Sequence, residues 1–250
     1  MKKLDKILIV GCHGRMGSML YDLACQHNLS CIGIDQPLTT EKVTMAAKGV
    51  TFALFCVPVV HLEEVLRKVC PHLNSDCIVS DITSVKEVPI RYMQSQWPGD
   101  VVGTHPLFGP KYDLLATPTV VIVQAQASLD AVLMTELFFQ TLGFAVLRSS
   151  AEEHDRAMAC IQNLNFISNI AYFALLAEQN QLLPFITPSF LRRLNAAQKM
   201  ITEDGEMFSG LFEANPYSQE MVRKYGAILN LAASGDIELL CQRAKWWWKQ

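Results

Sequence analysis

A histidine beside a proline-punctuated turn is the first residue here with the means to do chemistry. His105 stands in GTHPLFGPK, residues 103–111, directly after a β-like run containing Val101 and Val102. An imidazole has an ordinary pKa near 6.5, so it can take up a proton at neutral pH. Nineteen residues before His105 comes Lys86, in SDITSVKE, a stretch that also supplies Asp81, Thr83 and Ser84. A hydroxyl, an ammonium and an imidazole, each just beyond a short apolar run, form a set suited to removing a proton from a bound substrate.

A third stretch supplies the cofactor half. ILIVGCHGRMGSML places Gly11, Gly14 and Gly17 between an apolar run and a helical pattern. The spacing is G-x-x-G-x-x-G, with the first glycine displaced by one residue from the commoner fingerprint. Glycines let the backbone turn tightly and approach a pyrophosphate, and the helix that follows offers N–H groups and the positive end of its dipole. Cys12, His13, Arg15 and Met16 fill the turn and complete the expected cofactor set with the glycines. Asp35 lies 18 residues past Gly17. A carboxylate there accepts hydrogen bonds from the adenosine ribose and repels a 2′-phosphate, which favours NAD over NADP. Val57 and Pro58 end another apolar run, at the strand edge where ligands bind.

These residues need a sheet to position them. Short β-branched runs over 7–10, 31–35, 52–57, 77–80, 101–103, 120–123 and 144–147 read as strands. Helical patterns over 16–26, 61–70 and 129–142 lie among them, which implies a parallel sheet covered on both faces. After Arg148 the strand signals stop. Ser150 and Glu153 suggest a capping box opening a helix that runs to about Asn180. Later helices are punctuated by Pro184, Pro188, Asp204-Gly205, Asn215-Pro216 and Ser234-Gly235. The expected organisation is an α/β, Rossmann-type dinucleotide-binding domain over 1–148 and an all-helical domain over 149–250.

Bulk properties narrow the class. Of 250 residues half are apolar, and the formal net charge is -3 with no long basic run. That argues against nucleic acid and membrane surfaces as partners. Residues 157–177 are apolar but carry Gln162, Asn163, Asn165, Ser168 and Asn169, which reads as a buried helix and not a membrane span. The eight cysteines include no C-x-x-C pair and no zinc-finger spacing to a histidine, so reduced thiols in a cytoplasmic protein, and no metal, are expected.

DITSVK, GTHPLFGP and AEEHDRAMACIQNL, in that order, resemble the prephenate dehydrogenase, or cyclohexadienyl dehydrogenase, family. The likeness runs along essentially the whole chain. It is nearest to the dehydrogenase part of chorismate mutase–prephenate dehydrogenase fusions, with no mutase segment expected before it and no regulatory domain after it. The resemblance implies a Rossmann domain, a helical domain that forms a homodimer, and NAD-dependent oxidative decarboxylation of prephenate or arogenate. It implies that His105 accepts the proton of the substrate's ring hydroxyl. Ser84 would bond near that hydroxyl or the nicotinamide, and Lys86 would support the site electrostatically. His154 and Gln162 would line the substrate pocket.

The sequence departs from the family where carboxylates should be gripped. Asn165 and Phe166 stand where a partner residue and a histidine are usual, and Lys199 stands where an arginine is expected. Lysine keeps the charge but loses the bidentate fork. Arg192 and Arg193 are nearby cations that could serve instead. Prephenate, arogenate and a related cyclohexadienyl acid therefore stay open as substrates, as does a paralogue that binds NAD without turnover. A β-hydroxyacid type of dehydrogenase fits less well, because that class lacks the H-P-x-F-G stretch. Trp247 and Trp248 near the C-terminus suit a subunit or domain interface.

Overall fold

The computed structural model describes residues 4–111 and 117–249. The chain divides into two compact units, residues 1–158 with 209–215, and residues 159–208 with 216–250.

The first unit is built on strands β1 (Ile7–Val10), β2 (Cys31–Ile34), β3 (Phe52–Phe55), β4 (Ile78–Asp81), β5 (Val101–Pro106), β6 (Thr119–Gln124) and β7 (Ala145–Ser149). They form one sheet in the order β2-β1-β3-β4-β5-β6-β7. β1 to β5 are parallel, and β6 and β7 are parallel to each other. β6 pairs antiparallel with β5, so the wholly parallel sheet expected from the sequence stops there. Strand direction depends on how the connection returns, and alternation of apolar residues carries no trace of it.

Helices α1 (Arg15–Gln26), α2 (Thr40–Ala47), α3 (Val59–Val69), α4 (Glu87–Gln96) and α5 (Leu129–Thr141) accompany the strands. The sequence pattern does not predict α2 or α4. α2 is one short run of eight residues, and Pro89 lies in the first turn of α4, where its missing N–H is harmless. All four residues of β1 and of β3 are buried, as strands covered on both faces must be. On one face Leu8, Val10, Ala53 and Phe55 pack with Leu62 and Leu66 of α3 and Met93 of α4. On the other, Ile7, Ile9, Phe52 and Leu54 pack with Leu20 of α1 and Phe138 and Phe139 of α5.

Thr39 and Ser128 cap α2 and α5 by accepting from Lys42 N and Ala131 N. Ser150 Oγ accepts from Glu153 N at 3.1 Å and opens α6 (Ala151–Met158). Glu153 does not reach back to complete the box; its Oε2 accepts from Ser149 Oγ at 3.0 Å.

In the second unit a π-helical turn (Ala159–Asn163) precedes α7 (Leu164–Leu175). The long helix read from the sequence is thus interrupted once and ends earlier than expected. α8 (Pro188–Thr202), α9 (Gly205–Ala214), α10 (Ser218–Ala233) and α11 (Ile237–Ala244) follow, with residues 209–215 of α9 and its end belonging to the first unit. Thr187 caps α8 by accepting from Phe190 N. No helix among the described residues is long and apolar enough to cross a membrane.

Candidate functional site

β1 and β3 are neighbours whose connections leave in opposite directions along the sheet, toward β2 and toward β4. In open α/β sheets ligands bind at such a switch point, beyond the carboxyl ends of the strands. A cavity of about 350 Å³ lies there, lined by Gly11, His13, Gly14, Asp35, Val57 and Pro58 among others. The turn is held tight by two glycines. Gly11 has φ +89°, and a Cβ on it would meet Cys56 O at 2.5 Å. A Cβ on Gly17 would meet Gly11 O at 2.0 Å, so only hydrogen lets α1 start this close to β1. Asp35 follows β2 and points its carboxylate at the turn: Oδ2 accepts from His13 N at 2.8 Å and Oδ1 from Gln36 N at 2.7 Å. Lys42 Nζ donates to the Asp35 carbonyl. These residues fit a dinucleotide: a glycine cradle, a helix N-terminus, and a carboxylate at the end of the second strand.

Val10, Phe55, Asp81 and Gly103 line up across β1, β3, β4 and β5. His105 therefore sits two residues beyond that line on the same carboxyl edge. Three strand spacings of ~4.8 Å separate its strand from the glycine turn, roughly 14 Å in all.

His105 is only 5% exposed. Its Nδ1 lies 2.9 Å from His154 Nε2, with the two rings edge to face at 82°. His154 Nδ1 lies 2.7 Å from Asp155 Oδ1. Asp155 also accepts from Lys86 N at 2.7 Å and Glu87 N at 2.9 Å, so its carboxylate occupies the start of α4, which has no side-chain cap of its own. Asn215 Nδ2 donates to the Asp155 carbonyl at 2.8 Å.

Lys86 and Asp81 form a second buried group. Both side chains are fully buried, with Nζ 2.7 and 2.6 Å from the two Asp81 oxygens and 2.5 Å from Thr104 O. Thr83 Oγ1 donates to the same carboxylate. Gly103 leaves room for this: a Cβ there would come 3.1 Å from Lys86 Cδ. Burial pushes the Lys86 pKa down from its ordinary value, opposed by Asp81 and then Asp155. His105 is held well below its ordinary 6.5, first by burial, then by His154 and by the Lys86 charge.

The residues singled out from sequence thus fall into groups. His105, Lys86 and His154 come together in the first unit. Ser84 is half-buried on the loop beside them. Gly11, His13, Gly14, Asp35, Val57 and Pro58 line the cavity, while Gly17 and Cys12 pack beneath the turn and Arg15 and Met16 form the first turn of α1. In the second unit Gln162 lies on the π turn with its buried Oε1 unpartnered. Arg192 is exposed on α8, Arg193 stacks 3.8 Å above the Tyr172 ring, and Lys199 Nζ is 3.9 Å from Asp204. Asn165 is exposed, and Phe166 is a core residue, stacked on Phe208 at 5.0 Å. Sequence reasoning missed Asp155 as a junction and His61 as a cavity-lining residue. An Asp beside a His is a signal for the first; nothing in the sequence marks the second. All eight cysteines are free thiols, and no group of three His, Cys, Asp or Glu among the described residues could hold a metal ion.

The sheet and glycine turn define an α/β fold of the dinucleotide-binding kind. Residues 19–128, beginning just past the turn, match the family model described as prephenate dehydrogenase, nucleotide-binding domain. The T-protein of Enterobacter agglomerans is 28% identical over 242 residues, 94% of this chain and 64% of that protein. A probable arogenate/prephenate dehydrogenase of Methanocaldococcus jannaschii is 26% identical over 191 residues, 73% of this chain and 43% of that one. The chain thus spans less than two thirds of either relative. Two solved structures share the fold. Prephenate dehydrogenase from A. aeolicus, in complex with hydroxyphenyl propionate and NAD+, superposes with a TM-score of 0.81 at 19% identity, covering 97% of this chain and 96% of that one. Synechocystis arogenate dehydrogenase does so with 0.73 at 20% identity, covering 95% and 96%. In sequence and in fold the chain is thus similar to prephenate and arogenate dehydrogenases.

Removing one partner of the buried ion pair should be costly. Lys86→Met should lower unfolding free energy by about 3–5 kcal/mol in chemical denaturation, because Asp81 is left buried and uncompensated. A loss below about 1 kcal/mol, the range of an exposed pair, would contradict this reading.

Proposed function

We propose that this chain oxidises a cyclohexadienyl acid of the prephenate or arogenate kind with NAD, releasing carbon dioxide. The observation that carries the proposal is a buried imidazole, His105, on the carboxyl edge of the same sheet that bears the glycine turn and Asp35.

Gly11, Gly14 and the start of α1 would face the pyrophosphate, and Asp35 the adenosine ribose, which supports NAD over NADP. NAD, when bound, supplies the hydride acceptor. The ring carbon that gives up hydride carries a hydroxyl, whose proton passes to His105 as the carbon–oxygen double bond forms. The ring carboxylate leaves as carbon dioxide, its bonding pair entering the ring, which becomes aromatic. From prephenate the product is 4-hydroxyphenylpyruvate. His105 is suited to this role because its lowered pKa keeps it neutral, and so able to accept a proton, at pH 7. Ser84 would bond near the hydroxyl or the nicotinamide. The buried Lys86 would act as a fixed charge beside His105. Substrate carboxylates call for cations, and Arg192 and Lys199 are the candidates that the family resemblance suggests.

The proposed partner is a second copy of the chain. The second unit leaves Leu175 73%, Phe185 78%, Trp247 68% and Trp248 81% exposed, an apolar display that a homodimer through the helical unit would cover. Sedimentation at micromolar concentration should return a dimer; a monomer would contradict it.

The activity is tested by NADH absorbance with prephenate and then arogenate. At least one should reduce NAD, and His105→Asn should lower turnover by roughly 10²–10⁴-fold with NAD affinity unchanged. Reduction with neither acid while NAD still binds would overturn the proposal in favour of a non-catalytic paralogue. Near-normal turnover by His105→Asn would remove that residue from the mechanism.

A further inference from the structure

His105 can take a proton only through a nitrogen that carries a lone pair, so its tautomer decides whether it is a base. The hydrogen bonds around it point to one tautomer, because tautomers are inferred from the hydrogen-bond network.

The hydrogen-bond chain starts at Asp155. Its two oxygens accept from Lys86 N at 2.7 Å and Glu87 N at 2.9 Å. Backbone N–H groups only donate, so the carboxyl group faces them as an ionised acceptor. These donors, at the start of α4, also favour a negative charge there. The atom 2.7 Å away, His154 Nδ1, must then be the donor to Oδ1. A neutral His154 carrying its proton on Nδ1 has a bare Nε2. That nitrogen faces His105 Nδ1 at 2.9 Å and can only accept. His105 therefore holds its proton on Nδ1 and leaves Nε2 as the lone pair.

We propose that Asp155 is a positioning residue, which acts through His154 to hold His105 in the tautomer whose Nε2 is free to accept a proton. Its anchors suit a fixed part. Asp155 is fully buried and His154 is 3% exposed. The Asp155 carbonyl is tied to Asn215 Nδ2 at 2.8 Å. The ionisable groups that bear on His105 are His154 and Lys86, and Lys86 is itself paired with Asp81. Asp155 thus holds the His154 imidazole as the aspartate of a Ser-His-Asp triad holds its histidine, with a second imidazole where the serine would stand. The proposal rests on His105 as the proton acceptor, but its first test needs no substrate.

The experiment is ¹⁵N–¹H correlation of the histidine rings in the full-length protein near pH 7, with His105→Asn used to assign the ring. His105 should show a protonated Nδ1 and a pyridine-type Nε2. Asp155→Asn keeps the shape and an oxygen for the α4 N–H groups, but can turn an amide N–H toward His154 Nδ1. It should reverse both rings, placing the His105 proton on Nε2. In the active enzyme kcat should then fall by about 10⁴-fold, as when the aspartate of a Ser-His-Asp triad becomes asparagine, with NAD affinity unchanged. A merely structural Asp155 would lower stability and leave the His105 tautomer as it was, which would overturn the proposal. So would a wild-type His105 protonated on Nε2, or a His154 imidazolium, and both can be read even if the variant fails to fold. If neither acid is oxidised yet the tautomers are as stated, the functional reading fails and the positioning stands.

Discussion

A lysine ammonium sealed from water must be paired, and the carboxyl edge of this sheet is organised around that requirement. Lys86 crosses the surface of β5 where Gly103 has no side chain, and its ammonium is held by Asp81 and the Thr104 carbonyl. Asp81 ends β4, and Thr104 directly precedes His105 on β5. One ion pair thus ties two neighbouring strands together at the residue next to the proposed base. Such a pair contributes little net stability over an apolar replacement, yet losing one partner is severe. Its value here is in fixing position, and in putting a positive charge near His105 that adds to burial and His154 in holding the imidazole's pKa down.

The backbone of Lys86 does a second job. Its N–H, with that of Glu87, fills the acceptor sites of Asp155, so one short segment links the ion pair to the His154–His105 chain. The two buried networks therefore share a residue, and the start of α4 is satisfied by a carboxylate 69 residues away in sequence. Fully satisfied polar networks rigidify a site. The proposed base, held this way, would meet a substrate without first having to reorganise.

The sequence disclosed the parts of this arrangement that follow from local constraint. The glycine turn was legible because only glycine tolerates the approach of Gly17 to the Gly11 carbonyl. Asp35 was legible from its spacing, and His105 and Lys86 from standing just past apolar runs. What stayed hidden is what chain separation conceals. Asp155 is only the next residue after His154 in the sequence, and the fold alone brings it to the start of α4. The reversal at β6 leaves no mark in composition. Phe166 stands where the family usually has a histidine, and in the fold it is a core aromatic against Phe208. Lys199 was read from its place five residues before Asp204, and the fold sets its Nζ 3.9 Å from that carboxylate, a neighbour that spacing alone does not reveal.

Burial and neighbouring charge hold the pKa of His105 down, and a neutral imidazole is what the proposed base requires. The pH dependence of kcat/KM for the native chain tests it most directly, since its acid limb reports the essential base of the free enzyme. His105 is held below its ordinary 6.5, so the neutral form persists through that pH and is lost only further into acid. The acid limb should lie clearly below pH 6.5; a limb at 6.5 or above would mean that His105 is not held neutral in this way.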